Sequence, residues 1–481
     1  MLVEQKLSMG NFLIARIGYI LSSRVLVAGL NFVSIIIFAR YLLPEDFGIF
    51  AMTISIAGLY RVFVNFFTEY LIYAKDLRSN ECASFFWANI ITAFFLFLIT
   101  FAFKSEIVQV SKMPELGLTS TVLSFLILIE SFGIQSRIEM IKSLRFKAIS
   151  IVESISIIGS FVISLLIILK GYAFWGLIFK FSLDILIANS IFLFLSRRVF
   201  KFHLRFSDLY KGVSYSLPII GKTFFVGLSL FLQNFLINNY LGKLSVGIFN
   251  QTTKLYTLPL QTVVYPIGRL AFPLLSKMKE NPILFKETYL FLCQVVSIVV
   301  LPLVFFIIVF PSEVVFLILG KNWIAVIPIL KGASFAVLAT SIVNIQNWLF
   351  LSLGKPSKML VISIAKLILY IAFIFMTIDR GLYFVALAIS LAEFILIVPS
   401  VMWAIQGTNI SILDILKSQL CGCFSALTSL LLPFLLWKYL NSESIKLFAL
   451  IIIPFCVLCY LASLRYFNVI EKLKQKDLVK A

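Results

Sequence analysis

Charge is what this chain has least of. Only 13% of its 481 residues are Asp, Glu, Lys or Arg, and a soluble protein could not cover its surface with so few. Acids are scarcest, 22 against 41 basic residues, and His203 is the single histidine. His203 lies in a basic linker and is read as neither a metal ligand nor a catalytic base. The six cysteines, Cys82, Cys293, Cys421, Cys423, Cys456 and Cys459, form no disulfide framework. Cys421-x-Cys423 and Cys456-x-x-Cys459 lie in apolar segments without histidine or acidic neighbours, so they are packing residues rather than metal ligands. No phosphate loop is present: Gly221-Lys222-Thr223 resembles the end of one, but Ser216 stands where the first glycine would be. The chain thus carries no ATPase of its own, and no cofactor is expected. No long polar segment remains to build a separate soluble domain.

What is there instead is apolar length. Hydrophobic residues make up 61% of the chain, in runs of about 20 residues, the length that crosses a bilayer as a helix. A transmembrane barrel would show alternating segments of about 10 residues. The fold class is therefore an all-α polytopic membrane protein with about fourteen spans, the first near 18–39 and the last near 447–465. The reading divides into an N-lobe (1–196, six spans), a basic linker (197–212), a C-lobe (213–406, six spans), and spans thirteen and fourteen with a basic tail (407–481). No small-residue cleavage pattern follows the first apolar run, so it is expected to stay as a span rather than leave as a signal peptide.

A net charge of +19 would suggest a nucleic-acid partner in a soluble chain. Here it sets topology. With the N-terminus inside, 25 of the 41 basic residues fall in inner segments, nine in outer segments and seven within spans. By the positive-inside rule both termini are expected in the cytoplasm. The linker Arg197–Gly212 interleaves basic and aromatic residues and is expected to lie as an amphipathic helix on anionic lipid. The outer loops are short, which argues against a polymerase or glycosyltransferase with an external catalytic loop; no enzyme is expected.

One stretch occurs twice. Ala39–Phe50 (ARYLLPEDFGIF) and Asn238–Phe249 (NNYLGKLSVGIF) align at a constant offset of 199 residues. Tyr41-Leu42 falls on Tyr240-Leu241, and Gly48-Ile49-Phe50 on Gly247-Ile248-Phe249. Each copy opens a block of about six spans, so the chain reads as an internal duplication with a parallel repeat and a site between its halves.

The seven cations inside spans are Arg24, Arg61, Lys180, Lys222, Lys254, Lys331 and Lys366, and the acids Glu130, Glu153, Asp184 and Glu393. Each is costly in a membrane and needs a partner or water. Lys180 and Asp184 are four apart and expected to pair on one helix; Glu153 is expected to meet basic loop residues. Glu130 and Glu393 lack local partners and are candidates for coupling to H+ or Na+. Arg24 lines up at helical spacing with Asn31, Arg61 with Asn65, Lys222 with Gln233, and Lys254 with Asn250, Thr257, Gln261 and Tyr265. Such stripes face protein or water rather than lipid. The offset places Arg24 on Thr223, beside Lys222, so each lobe's first helix offers a cation at nearly one depth. The expected site is a cationic lumen, Arg24, Arg61, Lys222 and Lys254, binding a diphosphate, with Asn31, Asn250 and Gln261 on sugar or headgroup.

The stretch Phe38–Phe50 resembles the ARxLxPxDFG signature of the Wzx-type bacterial polysaccharide flippases, members of the MATE-like MOP exporter superfamily. Ser143-Leu144-Arg145-Phe146 is similar to that family's basic loop after the fourth span, and Gly247–Asn250 and Leu353-Gly354-Lys355 to its second-lobe counterparts. The resemblance implies two six-helix lobes that open alternately to either side. It implies inner-membrane export of an undecaprenyl-diphosphate-linked oligosaccharide for O-antigen, capsule or exopolysaccharide, alongside polymerase and assembly proteins. By helix and type it places Arg24, Arg61 and Lys254 in the lumen. Spans thirteen and fourteen are similar to the lipid II flippase branch, so a lipid II-type flippase stays as an alternative. A MATE-like drug antiporter would want an anionic, aromatic pocket, the wrong sign of charge, and a structural scaffold for a glycan assembly complex would tolerate neutral lumen substitutions.

Overall fold

The computed structural model describes residues 29–74, 77–143, 145–196, 201–440 and 451–466. Among these there is no strand, and eleven helices are long and apolar enough to cross a membrane. One of the eleven, residues 206–277, holds the seventh and eighth spans of the sequence reading. The first and fourteenth spans lie only partly within the described residues. In order, the helices are α1 (Gly29–Tyr41), α2 (Pro44–Val64), α3 (Thr68–Tyr73), α4 (Ser79–Ala102), α5 (Lys104–Ser111), α6 (Pro114–Lys142), α7 (Phe146–Leu169), α8 (Ala173–Ser196) and α9 (Phe206–Pro259). There follow α10 (Tyr265–Lys277), α11 (Pro282–Val309), α12 (Pro311–Ile318), α13 (Val326–Ser352), α14 (Pro356–Thr377), α15 (Leu382–Ile405), α16 (Ile412–Leu440) and α17 (Ile453–Tyr466).

The duplicated stretch is a helix break in both copies. In the first, Leu43 is extended (φ −87°, ψ 159°), Pro44 opens α2, and the Asp46 carboxylate accepts the Leu43 N–H at 2.9 Å. Proline loses nothing at this first position, and acids there complement the helix dipole. In the second, Gly242, which aligns with Leu43, breaks α9 with φ 81° and ψ 167°. A left-handed φ of this kind is open to glycine at no steric cost. The linker differs from its expectation: residues 201–205 have no regular structure, and the helix that begins at Phe206 runs straight into the next span.

The chain divides into two units, Met1–Asn250 and Gln251–Ala481. The boundary between them falls within α9. In the first unit, α2, α4, α6 and α8 pack around an apolar core that includes Val64, Phe67, Phe85, Leu123, Ile127, Ile134 and Ile185. Hydroxyls on these helices are tied down locally: Thr53 donates to the Ile49 carbonyl at 2.8 Å and lies 3.0 Å from Thr119 of α6. The arm of α9 before Gly242 runs antiparallel along α2 and α3. Tyr215 stacks on Tyr73 (4.6 Å), Phe224 meets Phe63 edge-on (5.6 Å), and a Cβ on Gly227 would lie 3.4 Å from Leu59.

The two copies of the repeated stretch cross each other in this unit. A Cβ on Gly48 would fall 2.0 Å from the Lys243 carbonyl oxygen, and a Cβ on Gly247 1.7 Å from that of Pro44. At the 199-residue offset Gly48 aligns with Gly247 and Pro44 with Lys243, so the contact is reciprocal, as two repeats related by a two-fold axis require. Around it Lys243 pairs with Glu115 (3.0 Å) and Glu45 (3.6 Å), and Asn239 donates to the Val110 carbonyl at 3.1 Å.

In the second unit, α16 runs parallel to α11 along its length. Lys286 pairs with Asp414 (2.7 Å), Ser297 donates to the Ser418 carbonyl (3.1 Å), and Gln294 donates to Cys421 (3.2 Å). The seat is Gly422, whose Cβ would stand 2.5 Å from the Ser297 backbone. Gly422→Leu should therefore force α16 off α11, at a cost of about 1–3 kcal/mol. The check is oxidative crosslinking of Gln294→Cys to native Cys421 in the full chain, with efficient crosslinking before and a large loss of yield after the glycine is replaced.

Candidate functional site

The charges inside the spans find partners across helices. In the first unit, Arg61 of α2 donates through Nε to the Glu130 carboxylate of α6 at 2.8 Å, with the face of Phe181 4.7 Å from its guanidinium carbon. Glu130, which has no partner near it in sequence, is thus an ion-pair acceptor. Lys180 does not close on Asp184 as expected. It donates to Asn31 of α1 at 2.9 Å, while Asp184 accepts from Ser156 of α7 at 2.6 Å. Both arrangements reach across a helix interface, where a polar group between apolar helices gains most. Glu153 meets Arg137, a basic residue at the end of α6, at 2.8 Å.

Lys222 is half-buried on the first arm of α9. The contacts of Phe224 with Phe63 and Gly227 with Leu59 set an antiparallel register that puts Lys222 level with Asn65. That is one helical turn, about 6 Å along the axis, from Arg61. Two of the predicted cations therefore stand close in depth within one unit. Arg24 lies outside the described residues.

Lys254, Thr257 and Asn250 are half-buried, and Gln261 is exposed. Gln261 donates to Thr257 at 3.3 Å, so the polar stripe is continuous along one face. It starts at Gly247, buried in the helix crossing, and descends an open side of the helix. At Leu260–Val264 the helix widens into a π turn between Pro259 and Pro266, a device found in helices mostly near functional sites. A fixed α periodicity does not hold through this point.

Glu393 of α15, 3% exposed, is the second carboxylate without a local partner in the sequence. Its partners come from α14: Lys366 Nζ and Tyr370 Oη both donate to Oε1. The signal was available, since Lys366 and Tyr370 share a helix face, but nothing in the sequence says which span faces α14. No cluster of His, Cys, Asp and Glu able to hold a metal occurs among the described residues.

Residues 37–328 match the profile of the family described as "Polysaccharide biosynthesis protein". The chain belongs to that family. Within it, the chain is similar to the succinoglycan biosynthesis transport protein ExoT of Rhizobium meliloti (strain 1021), with 22% identity over 315 residues, 65% of this chain and 64% of that protein. It is also similar to the lipopolysaccharide biosynthesis protein WzxC of Escherichia coli (strain K12), with 22% identity over 354 residues, 72% and 71% of the two chains. In fold it is similar to the lipid II flippase MurJ in an inward closed conformation, with a TM-score of 0.70, 16% identity, and coverage of 96% of this chain and 98% of that one. This member of the polysaccharide biosynthesis protein family is therefore a multi-pass membrane protein of the MATE-like fold.

Proposed function

We propose that this chain is a flippase that carries an undecaprenyl-diphosphate-linked oligosaccharide from the inner to the outer leaflet of the bacterial inner membrane. Its two repeats (1–196 and 213–406) open in alternation to either side, with both termini in the cytoplasm. The reading rests on the family, on the fold, and above all on one observation: Asn250, Lys254, Thr257 and Gln261 form a half-buried polar stripe along one face of a membrane-spanning helix. Such a stripe faces protein or water rather than lipid. Lys254 is suited to a phosphate oxygen as a point charge, and Arg61, one turn from Lys222, is suited to phosphate as a planar fork. Asn250, Gln261 and Asn31 supply hydrogen bonds to sugar hydroxyls or headgroup. Arg24 belongs to the same reading. The polymer is completed by a polymerase and assembly proteins.

The test uses a strain deleted for its own flippase and complemented by this chain. Lys254→Gln should reduce surface polysaccharide by at least tenfold, with lipid-linked repeat units accumulating, at unchanged protein level in the membrane. Normal polymer with Lys254→Gln and Arg61→Gln alike would sink the proposal. A drug antiporter would instead change resistance to lipophilic cations without touching polymer.

A further inference from the structure

Among the described residues, two ion pairs join acids and bases that the sequence places inside spans, and their chemistry differs. In Arg61–Glu130 the base is a guanidinium, which does not give up its proton in a protein. In Lys366–Glu393 the base is an ammonium, which can. The second pair is also the more enclosed: the Glu393 side chain is 4% exposed and that of Lys366 27%. Both hydrogen bonds to the carboxylate converge on Oε1, one from Lys366 and one from Tyr370. Among the described residues none reaches Oε2. The ammonium is braced 5.1 Å from the centre of the Tyr370 ring.

Tyr256 of α9 and Tyr265 of α10 are close enough to feel the Glu393 charge. Among the described residues, the other helices packed against α15 bring Glu393 no further ion-pair partner. On α13 the one ionisable residue is Lys331, which is exposed. On α16, Asp414 is tied to Lys286, and Lys417 and Lys438 are exposed.

A sodium ion needs several oxygens about it, as hard cations do. Here the one acidic oxygen that accepts hydrogen bonds is already covered by an ammonium and a phenol. A metal ion on the same carboxylate would stand beside a like charge in apolar surroundings, where repulsion is weakly screened. A proton meets no such obstacle, because it adds to the open Oε2. That step takes a proton from hydronium, releases a water molecule, forms one O–H bond on Glu393 and removes its negative charge. Lys366 is then left as a cation whose outer side is open to an anion.

We propose that Glu393, Lys366 and Tyr370 form the coupling site of this transporter, that its exchangeable ligand is a proton, and that Lys366 is a built-in cation that keeps alkali-metal ions out. The coupling role rests on the flippase reading above. The ligand chemistry does not, and it is tested without substrate.

The experiment uses the purified full chain in lipid nanodiscs. Acidification should produce a carboxylic-acid carbonyl band in the infrared difference spectrum that is missing in Glu393→Gln. Tyr370→Phe, which removes a hydrogen bond to the same carboxyl, should shift the band if Glu393→Gln fails to fold. Exchanging choline chloride for sodium chloride should leave the thermal midpoint of the wild type unchanged and raise that of Lys366→Met, in which the carboxylate is freed for a metal ion. A sodium-dependent rise in the wild type, an acid band that survives Glu393→Gln, or a band that Tyr370→Phe leaves in place would overturn the proposal. Failure of the polysaccharide complementation alone would not bear on these readouts.

Discussion

Gly48→Val should leave little folded protein in the membrane, and Gly247→Val should do the same. A Cβ at either position would sit 2.0 Å or 1.7 Å from a carbonyl oxygen of the opposing helix. Those oxygens are backbone, of Lys243 and Pro44, so no rotamer change relieves the clash. Overpacking of a side-chain core costs about 1–3 kcal/mol; here two helices would have to part, taking Lys243 away from Glu115 and Glu45. Even alanine should lower the thermal midpoint in detergent. Because both glycines serve one crossing, the cycle is informative: Gly48→Ala with Gly247→Ala should cost clearly less than the two singles added, since the first separation makes room for the second methyl. Strict additivity would mean that the two residues do not share a contact.

That crossing shows what a sequence can and cannot carry. The duplication was legible, because Tyr-Leu and Gly-Ile-Phe recur at one offset, and the spans were legible, because lipid accepts no unpaired backbone and so enforces long apolar helices. The break at both aligned positions, Leu43 and Gly242, followed from the same alignment. That the two copies would lie against each other did not. Contact between elements about 200 residues apart depends on how the repeats are placed in space, and a local pattern holds no record of it. The π turn at Leu260–Val264 was hidden for a related reason: it shifts the helical phase by one residue, so stripes drawn at a fixed period drift past it.

The candidate site divides along the same line. Which residues were out of place in a membrane was plain from composition, and every such acid the structure describes proves to have a partner. Who the partner is was mostly not plain. Lys180 and Asp184 looked like a pair because they are four apart, yet each bonds to another helix. An intrahelical pair on a surface is worth only about 0.2–0.5 kcal/mol, too little to compete with an interhelical bond shielded from water. Arg61 and Glu130 are separated by 69 positions, and Glu393 reaches back 27 to Lys366. The cations expected to be held for substrate are therefore not all idle: Arg61 is already engaged, and an anion would have to draw it from Glu130.

This makes the Arg61–Glu130 pair the place where stability and transport should come apart. Glu130→Leu leaves a guanidinium in an apolar bundle with no counter-charge, a change that costs about 3–5 kcal/mol for a buried pair. Arg61 keeps 32% of its side-chain surface exposed, so the loss should fall at or below the lower end. It should appear as a drop in thermal midpoint and in membrane yield. Adding Arg61→Leu removes the stranded charge, and replacing a buried pair by apolar residues is often neutral or stabilising. The double variant should therefore recover most of the lost stability. Surface polysaccharide should not return with it if Arg61 takes the diphosphate as proposed. If the double variant folds and also restores polymer, Arg61 is structural only, and the anion must be held by the remaining cations. If Glu130→Leu is as stable as the parent and exports more, the carboxylate is a competitor for the substrate rather than a support for the arginine.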